Sequence, residues 1–409
     1  MRIALIGTRG VPARYGGFET CVEEVGSRLA ARGHDVLVFC RPPYAVEGDS
    51  ELRDNYLGMQ LIHLPIVRRR SLETLAHTAL SVVHPELAGA DAAIVFNAAN
   101  SPLLPVLAAR GLPVATHVDG LEWRRAKWGP IGRRYYRIAE SLAVRWSDEI
   151  IADAQGIADY YRSEFGAASA RIAYGAPITH GHDADRADRV EELELSVKKY
   201  HLVVARFEPE NHVLDMVRAY EQSNAELPLV VVGSAPYSDA YTARIRRLAG
   251  SRVRLLGAVW DQEQLNQLYR HALTYLHGHS VGGTNPSLLR AAGAGTYTIA
   301  YDVGFNREVL GANAAYFTTA NELTTHLEQA EADPADSELR GLDLQRAIQR
   351  YNWDDVADDY EELCQRIASS PTPRTRPSGR RLRSAAIRLA TPASSPVPSP
   401  RMSVVRGRL

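Results

Sequence analysis

The chain has 409 residues, too many for one ordinary hydrophobic core and a natural length for two domains. Its formal net charge of −1 hides an asymmetry: residues 371–409 carry nine arginines and no carboxylate, which leaves 38 basic against 48 acidic side chains in residues 1–370. Three scattered cysteines, Cys21, Cys40 and Cys364, exclude a disulfide framework and point to a reducing compartment, and no apolar stretch approaches the length of a membrane-crossing helix.

Short apolar runs alternate with helical patterns from the first residue. Residues 3–6 read as a strand and 18–32 as a helix, with Phe18, Cys21, Val22, Val25 and Leu29 on one face and Gly33 at its end; 36–39 read as the next strand. Further strands are expected at 59–64, 92–96, 113–116 and 149–152. The apolar pattern lapses over 175–199 and restarts at 201–205, followed by strand patterns at 229–232, 253–256, 274–276, 297–300 and 315–317. After Asn321 only helical patterns remain, ending near 353–367, where Val356, Tyr360, Leu363 and Ile367 share a face. The expected architecture is α/β: two doubly wound, Rossmann-like domains facing across a cleft, with ligands outside the carboxyl ends of both parallel sheets. The expected divisions are a first domain over 1–175, a connecting segment over 176–200, a second domain over 201–350, a last helix over 351–370 and a basic, disordered tail over 371–409.

Several stretches carry chemistry. In "HSVGGTNPSLLRAAGAG" (279–295), Pro286 suits a first helical position with Asn285 or Thr284 as cap, and Gly282 and Gly283 let backbone amides approach a ligand. A helix start of this kind seats a phosphate. "GTRGVPARYGGFET" (7–20) lacks dinucleotide-fingerprint spacing, but Gly16 and Gly17 make a second amide-lined helix mouth, with Arg9 and Arg14 nearby. "VARFEPEN" (204–211) follows the second domain's first strand and places Arg206, a planar donor fork suited to phosphate oxygens, at the cleft edge. The pairs His180 with His182 and His277 with His279 lack further ligands at zinc spacing, and Asp183-x-Asp185 falls in the polar connecting segment, so no metal or cofactor is expected. "GLEWRRAKWGPIGRRYYR" (120–137) holds six basic residues, two tryptophans and two tyrosines. It fits a surface dipping into anionic lipid headgroups, a stacking surface for RNA, or an ordinary amphipathic helix.

Taken together, "RYGGFET", "HVDGLEWRRAKW", "VARFEPEN" and "HGHSVGGTNPSLL" resemble the motifs of a subgroup of glycosyltransferase family 4 that includes bacterial rhamnosyltransferases of polysaccharide assembly. The resemblance spans roughly residues 1–368 and implies the GT-B architecture, with an acceptor-binding first domain, a nucleotide-sugar-binding second domain and a last helix returning to the first. It implies a retaining transferase that needs no metal and uses a dTDP- or UDP-sugar, such as dTDP-rhamnose. The implied acceptor is a polyprenyl diphosphate-linked saccharide or other glycan. The implied location is cytoplasmic, peripheral at the inner face of the cell membrane, with an anionic membrane surface as a partner and nucleic acid not among the partners. By the same resemblance Arg206 binds the donor diphosphate and Asp119 lines the reacting sugar, these two being the catalytic pair. Gly16, Gly17, Asn211, Gly282, Gly283, Thr284, Asn285, Ser287 and Arg290 complete the donor side. Trp123, Arg124, Arg125, Lys127 and Trp128 form the acceptor or membrane side.

The chain departs from the wider family at three positions. Gly282 and Arg290 stand where many members carry glutamates, and Asn211 where many carry lysine. The glutamate replaced by Arg290 ordinarily accepts hydrogen bonds from the ribose, which an arginine cannot do. Two further readings therefore stay open beside the transferase: a catalytically weakened nucleotide-sugar-binding partner protein and a GT-B sugar epimerase.

Overall fold

The computed structural model describes residues 1–13, 16–42, 53–66, 73–118, 120–178, 186–234 and 239–369. Arg14, Asp119, His180, His182, Asp183, Asp185 and the tail over 371–409 lie outside the described residues. The first half runs β1 (Arg2–Ile6), α1 (Gly17–Ala31), β2 (Asp35–Cys40), β3 (Asn55–Tyr56), β4 (Met59–His63), α2 (Glu73–Val83), β5 (Ala92–Phe96), α3 (Leu104–Ala109), β6 (Val114–Val118), α4 (Pro130–Trp146), β7 (Glu149–Ala152), α5 (Gln155–Phe165) and β8 (Ala170–Arg171). After α6 (Asp188–Glu191) the second half runs β9 (His201–Val204), α7 (Val213–Gln222), β10 (Leu229–Val232), α8 (Asp239–Leu248), β11 (Val253–Gly257), α9 (Gln262–His271), β12 (Thr274–His277), α10 (Pro286–Gly293), β13 (Tyr297–Tyr301), α11 (Gly304–Leu310) and β14 (Ala315–Phe317). Three helices close the described chain: α12 (Ala320–Ala332), α13 (Pro334–Ala347) and α14 (Trp353–Ser369).

The strands form two sheets, ordered β3-β4-β2-β1-β5-β6-β7-β8 and β11-β10-β9-β12-β13-β14, parallel throughout except for β3 against β4. Their central strands are buried, β5 and β6 at every position and β5 wholly apolar, because helices cover both faces of each sheet. Strand order reverses direction at β1, which pairs with both β2 and β5, and at β9, which pairs with both β10 and β12. These are the points where neighbouring βα loops diverge and leave room for a ligand. Two strands, β3 and β8, carry no sequence signal, each being two residues long. The β3–β4 turn uses Leu57 (φ 47) and Gly58 (φ 82), and a leucine in a left-handed hairpin position is not a usual turn marker.

The last helix lies against α1. Its apolar face, including Val356, Tyr360, Leu363 and Ile367, is buried, and burial of this face is the main stabilising term. The ion pairs around it, Arg28 with Asp354 at 2.7 Å and Arg32 with Asp358 at 2.7 Å, are partly exposed and contribute little, about 0–1 kcal/mol each. One apolar cluster runs from α1 and β1 through Tyr174 and Ala176 to Leu288, Leu289 and Trp353, so the two halves share buried contacts. Gly175 permits this: a Cβ there would come 2.4 Å from the Trp353 indole.

His117 on β6 is fully buried, and its Nδ1 lies 2.7 Å from the Tyr360 hydroxyl, tying α14 to the first sheet. Burial pushes its imidazole down to about 3. The folded protein therefore holds it neutral where the unfolded chain would protonate it, so this contribution is complete above the unfolded value of 6.5 and is lost as pH falls toward 3. Replacing His117 by Asn should flatten the fall in stability between pH 6.5 and 5 by up to about 1.4 kcal/mol per pH unit. Urea unfolding of both proteins across that window measures it, and parallel pH profiles would contradict a buried neutral imidazole.

Candidate active site

The loop after β1 and the loop after β12, the neighbour of β9, reach the same place. From β1 the chain passes to α1, capped at Gly16 with an extended backbone. From β12 it passes to α10, where the Asn285 side chain accepts from the Ser287 amide at 2.9 Å and Pro286 occupies the first turn. The two helix starts meet across the cleft: a Cβ on Gly17 would lie 3.2 Å from Pro286 Cγ and 3.4 Å from Tyr174 Cε2. Two positive helix ends brought this close are electrostatically unfavourable together unless an anion sits near them.

Arg206 follows β9, next to β12, and is half-buried. Its carbonyl accepts from Asn211 Nδ2 at 2.8 Å, and Asn211 Oδ1 meets His279 Nδ1 at 2.8 Å. Asn211 thus joins the loop after β9 to the loop after β12. His279 is held well below its usual pKa, first by burial and then by the positive charge of Arg125, by His277 and by Arg206. His277 is pushed down to about 3 by burial, and its Nδ1 lies 3.2 Å from the Tyr275 hydroxyl. No group of three or more metal-ligating side chains occurs among the described residues.

The glycine loop of the second half is docked on the first half. Gly282 adopts φ +145, and a Cβ on Gly120 would lie 3.2 Å from its carbonyl carbon. Gly283 abuts Asp153 and Ile157, and the Thr284 hydroxyl donates to the Asp153 carbonyl at 2.6 Å. Glu308 on α11 adds a further link by accepting from the Gln155 amide, at the start of α5, at 2.9 Å. Gly283 and Thr284 are buried by these contacts, so they shape the mouth from behind.

Arg290, one turn into α10, turns to α9. It donates to Asn266 Oδ1 at 2.9 Å, Gln262 Oε1 at 3.0 Å and the Gln262 carbonyl at 3.3 Å, with its guanidinium 5.8 Å from the Tyr269 ring centre. Ser287 is a hydrogen-bonding neighbour of Tyr269 and Tyr275 on the same side of the helix.

The basic aromatic stretch divides in two. Arg124 is exposed, with its guanidinium 5.2 Å from the Trp123 ring, and Lys127 lies 5.1 Å from the Trp128 ring. Trp128 Nε1 donates to Glu122 Oε1 at 3.2 Å, and its ring packs 4.9 Å from that of Tyr136. Arg125 stands apart from the surface set: it is buried, paired with Glu122, and lies 3.5 Å from Glu210 of the second half. Sequence spacing could not separate it from Arg124, because its partner is distant in the chain. Burial opposes ionisation of Glu122, but the charges of Arg125 and Lys127 outweigh it and hold the carboxyl below its usual range. Glu210, not singled out by the sequence, is 5 % exposed at the edge of the site.

Residues 16–175 match the family model of the glycosyl transferase 4-like domain, and residues 185–349 match that of glycosyl transferases group 1. The gpi3 subunit of phosphatidylinositol N-acetylglucosaminyltransferase from Schizosaccharomyces pombe is 28% identical over 144 residues. That match takes in 34% of this chain and 31% of the relative, so less than a third of the relative's length is represented. Sucrose-phosphate synthase from Thermosynechococcus elongatus superposes with a TM-score of 0.76 at 20% identity, over 90% of this chain and 99% of that one. Anabaena HepE in complex with UDP-glucose gives 0.71 at 18% identity, over 89% and 100%. A trehalose-phosphate synthase from Burkholderia vietnamiensis gives 0.66 at 13% identity, over 90% and 100%. At these identities the structural likeness is one of fold. Two transferase family models, side by side on two parallel sheets that meet helix mouth to helix mouth, make the chain a member of glycosyltransferase family 4 with the GT-B fold.

Proposed function

We propose that the protein is a retaining glycosyltransferase. It moves a sugar, with rhamnose as the first candidate, from a dTDP- or UDP-linked donor to a lipid-linked or saccharide acceptor in cell-envelope or exopolysaccharide synthesis. The convergence of the α1 and α10 starts carries this reading, since it offers a diphosphate amide dipoles from both, while Arg206, on the loop after the neighbouring strand β9 and close enough to act on His279, supplies a cation. UDP-glucose in the HepE complex and the N-acetylglucosaminyl transfer in the name of the yeast relative support a nucleotide-sugar donor. In the mechanism the sugar C1–O bond to the diphosphate breaks as the acceptor oxygen bonds to C1 on the same face, and the hydroxyl proton passes to the departing phosphate oxygen. Arg206 and the α10 amides stabilise the growing negative charge.

A second reading, a catalytically weakened nucleotide-sugar-binding partner, is favoured by Arg290, whose donors are spent on α9 where the wider family has a glutamate acceptor. Incubation with a panel of nucleotide sugars, with and without lipid-linked acceptors, separates the readings. Transfer only with an acceptor supports the transferase, conversion without one supports an epimerase, and binding without turnover supports the partner protein.

We further propose peripheral attachment to an anionic membrane through α4 and the basic tail. No helix among the described residues is long and apolar enough to cross a membrane. Ile131, 88% exposed, and Ile138, 40% exposed, stand on α4 with the exposed Arg133 and Arg134. Co-sedimentation with anionic vesicles is expected to exceed that with neutral ones at low salt and to fall as salt shortens the reach of exposed charges. Equal partition onto both vesicle types would remove the electrostatic component, and truncation after Ser370 assigns the binding to the tail or to α4.

A further inference from the structure

We infer that Arg125, through Glu210, is a positioning residue that sets the two donor-phosphate loops when the halves are closed; the inference rests on the transferase reading. Arg125 follows the short helical turn Glu122–Arg124 of the first half, and Glu210 lies between Arg206 and Asn211 of the second. Both are buried, with side chains 11% and 3% exposed, and the ion pair between them spans the interface at 3.5 Å. The Glu210 carboxylate oxygens accept no hydrogen bond among the described residues, so the Arg125 charge is what faces them there. Removing one partner of a buried pair leaves the other charge uncompensated, which gives Arg125 leverage over where Glu210 sits.

Glu210 passes that position on through its backbone. Its carbonyl accepts both the amide and the hydroxyl of Ser280, at 3.0 and 2.9 Å, and so holds the loop that leads to Gly282 and α10. The next residue, Asn211, holds the Arg206 carbonyl and His279. A single cation from the acceptor half is thereby wired to both loops that would cradle the donor diphosphate. Arg125 itself is held from its own side by Glu122, which also binds Lys127 at 2.7 Å, so the contact is anchored in the basic aromatic segment.

The test uses the full chain with Arg125→Met, Glu210→Gln and the double variant. UDP and dTDP titrations are expected to show each single variant weakened about tenfold, within the range of ordinary coupling between sites, with the double variant no weaker than the worse single one. Hydrogen exchange without nucleotide is expected to accelerate in residues 206–213 and 277–285 while α12 and α13 keep their protection. Wild-type exchange in those loops, or additive losses of affinity, would overturn the inference. Faster exchange spread evenly over both halves would also overturn it, by reducing the pair to a general stabilising contact. Should the unaltered protein bind neither nucleotide, the transferase reading fails, while the exchange measurement still decides whether Arg125 orders the loops.

Discussion

Alanine at Gly283 is expected to suppress sugar transfer about a hundredfold or more while leaving both halves folded and the second able to bind nucleotide. The added Cβ would lie 1.9 Å from Asp153 Oδ1 and 2.7 Å from Ile157 Cδ1, distances that no rotamer adjustment of the alanine can relieve. Asp153 is 4% exposed at the carboxyl end of β7 and has little space to withdraw. The two sides belong to different halves, so the strain is relieved most readily by backing the loop away from the first half. Such a shift carries α10 with it, because the helix begins three residues later. A displacement of about 1 Å at a reacting centre can cost about a hundredfold in rate. Arg206 and Asn211 lie in the same half as Gly283, so nucleoside diphosphate affinity should stay within a few-fold. Steady-state turnover beside calorimetric titration measures the split. Asp153→Ala in the Gly283→Ala background removes the nearest obstructing oxygen and should restore part of the rate. Wild-type turnover in Gly283→Ala would mean that this contact does not govern closure.

The contrast between Gly283 and Arg206 illustrates what the chain discloses before it is folded. Strands such as Ala92–Phe96 and Leu229–Val232 are continuous apolar runs, and their parallel pairing follows from the helices between them. Once each sheet is parallel, the carboxyl ends of its strands share one edge, and the glycines and arginine just beyond β1, β9 and β12 are legible as edge residues for that reason. Contacts between halves were not legible in this way. That Gly283 would meet Asp153, or Arg125 would meet Glu210, depends on how two separately folded sheets dock, and no local pattern encodes the docking. Arg290 shows a different limit. Helical periodicity placed it one turn from the mouth, but whether it reached back or sideways was decided by acceptors on α9, Asn266 and Gln262, which periodicity does not see. The aromatic stretch was misleading for a related reason: Arg124 and Arg125 are neighbours in sequence, yet one is exposed and the other buried.

Truncating Arg206 to alanine is expected to weaken binding of the cognate nucleoside diphosphate by roughly 1.5 to 3 kcal/mol, the usual worth of a hydrogen bond to a charged group. That corresponds to about tenfold to 150-fold in affinity. The loop should survive the change, because the bonds that shape it use the Arg206 carbonyl, which accepts from Asn211 Nδ2 and from the Glu208 amide, each at 2.8 Å. What is lost is a cation close enough to His279 to depress its protonation, after burial and the charges of Arg125 and His277. With that cation gone, an anion at the mouth would be held mainly by helix amides, whose partial charges are weaker than a guanidinium and fade within the first turn. Arg206→Lys separates charge from geometry: a lysine keeps the positive charge but not the two parallel donors, so its affinity should fall between those of the wild-type and alanine proteins. Calorimetric titration with dTDP and UDP, together with thermal melts to establish folding, measures both variants. Unchanged affinity in a folded Arg206→Ala protein would take Arg206 out of the diphosphate site and leave the helix mouths alone to hold it.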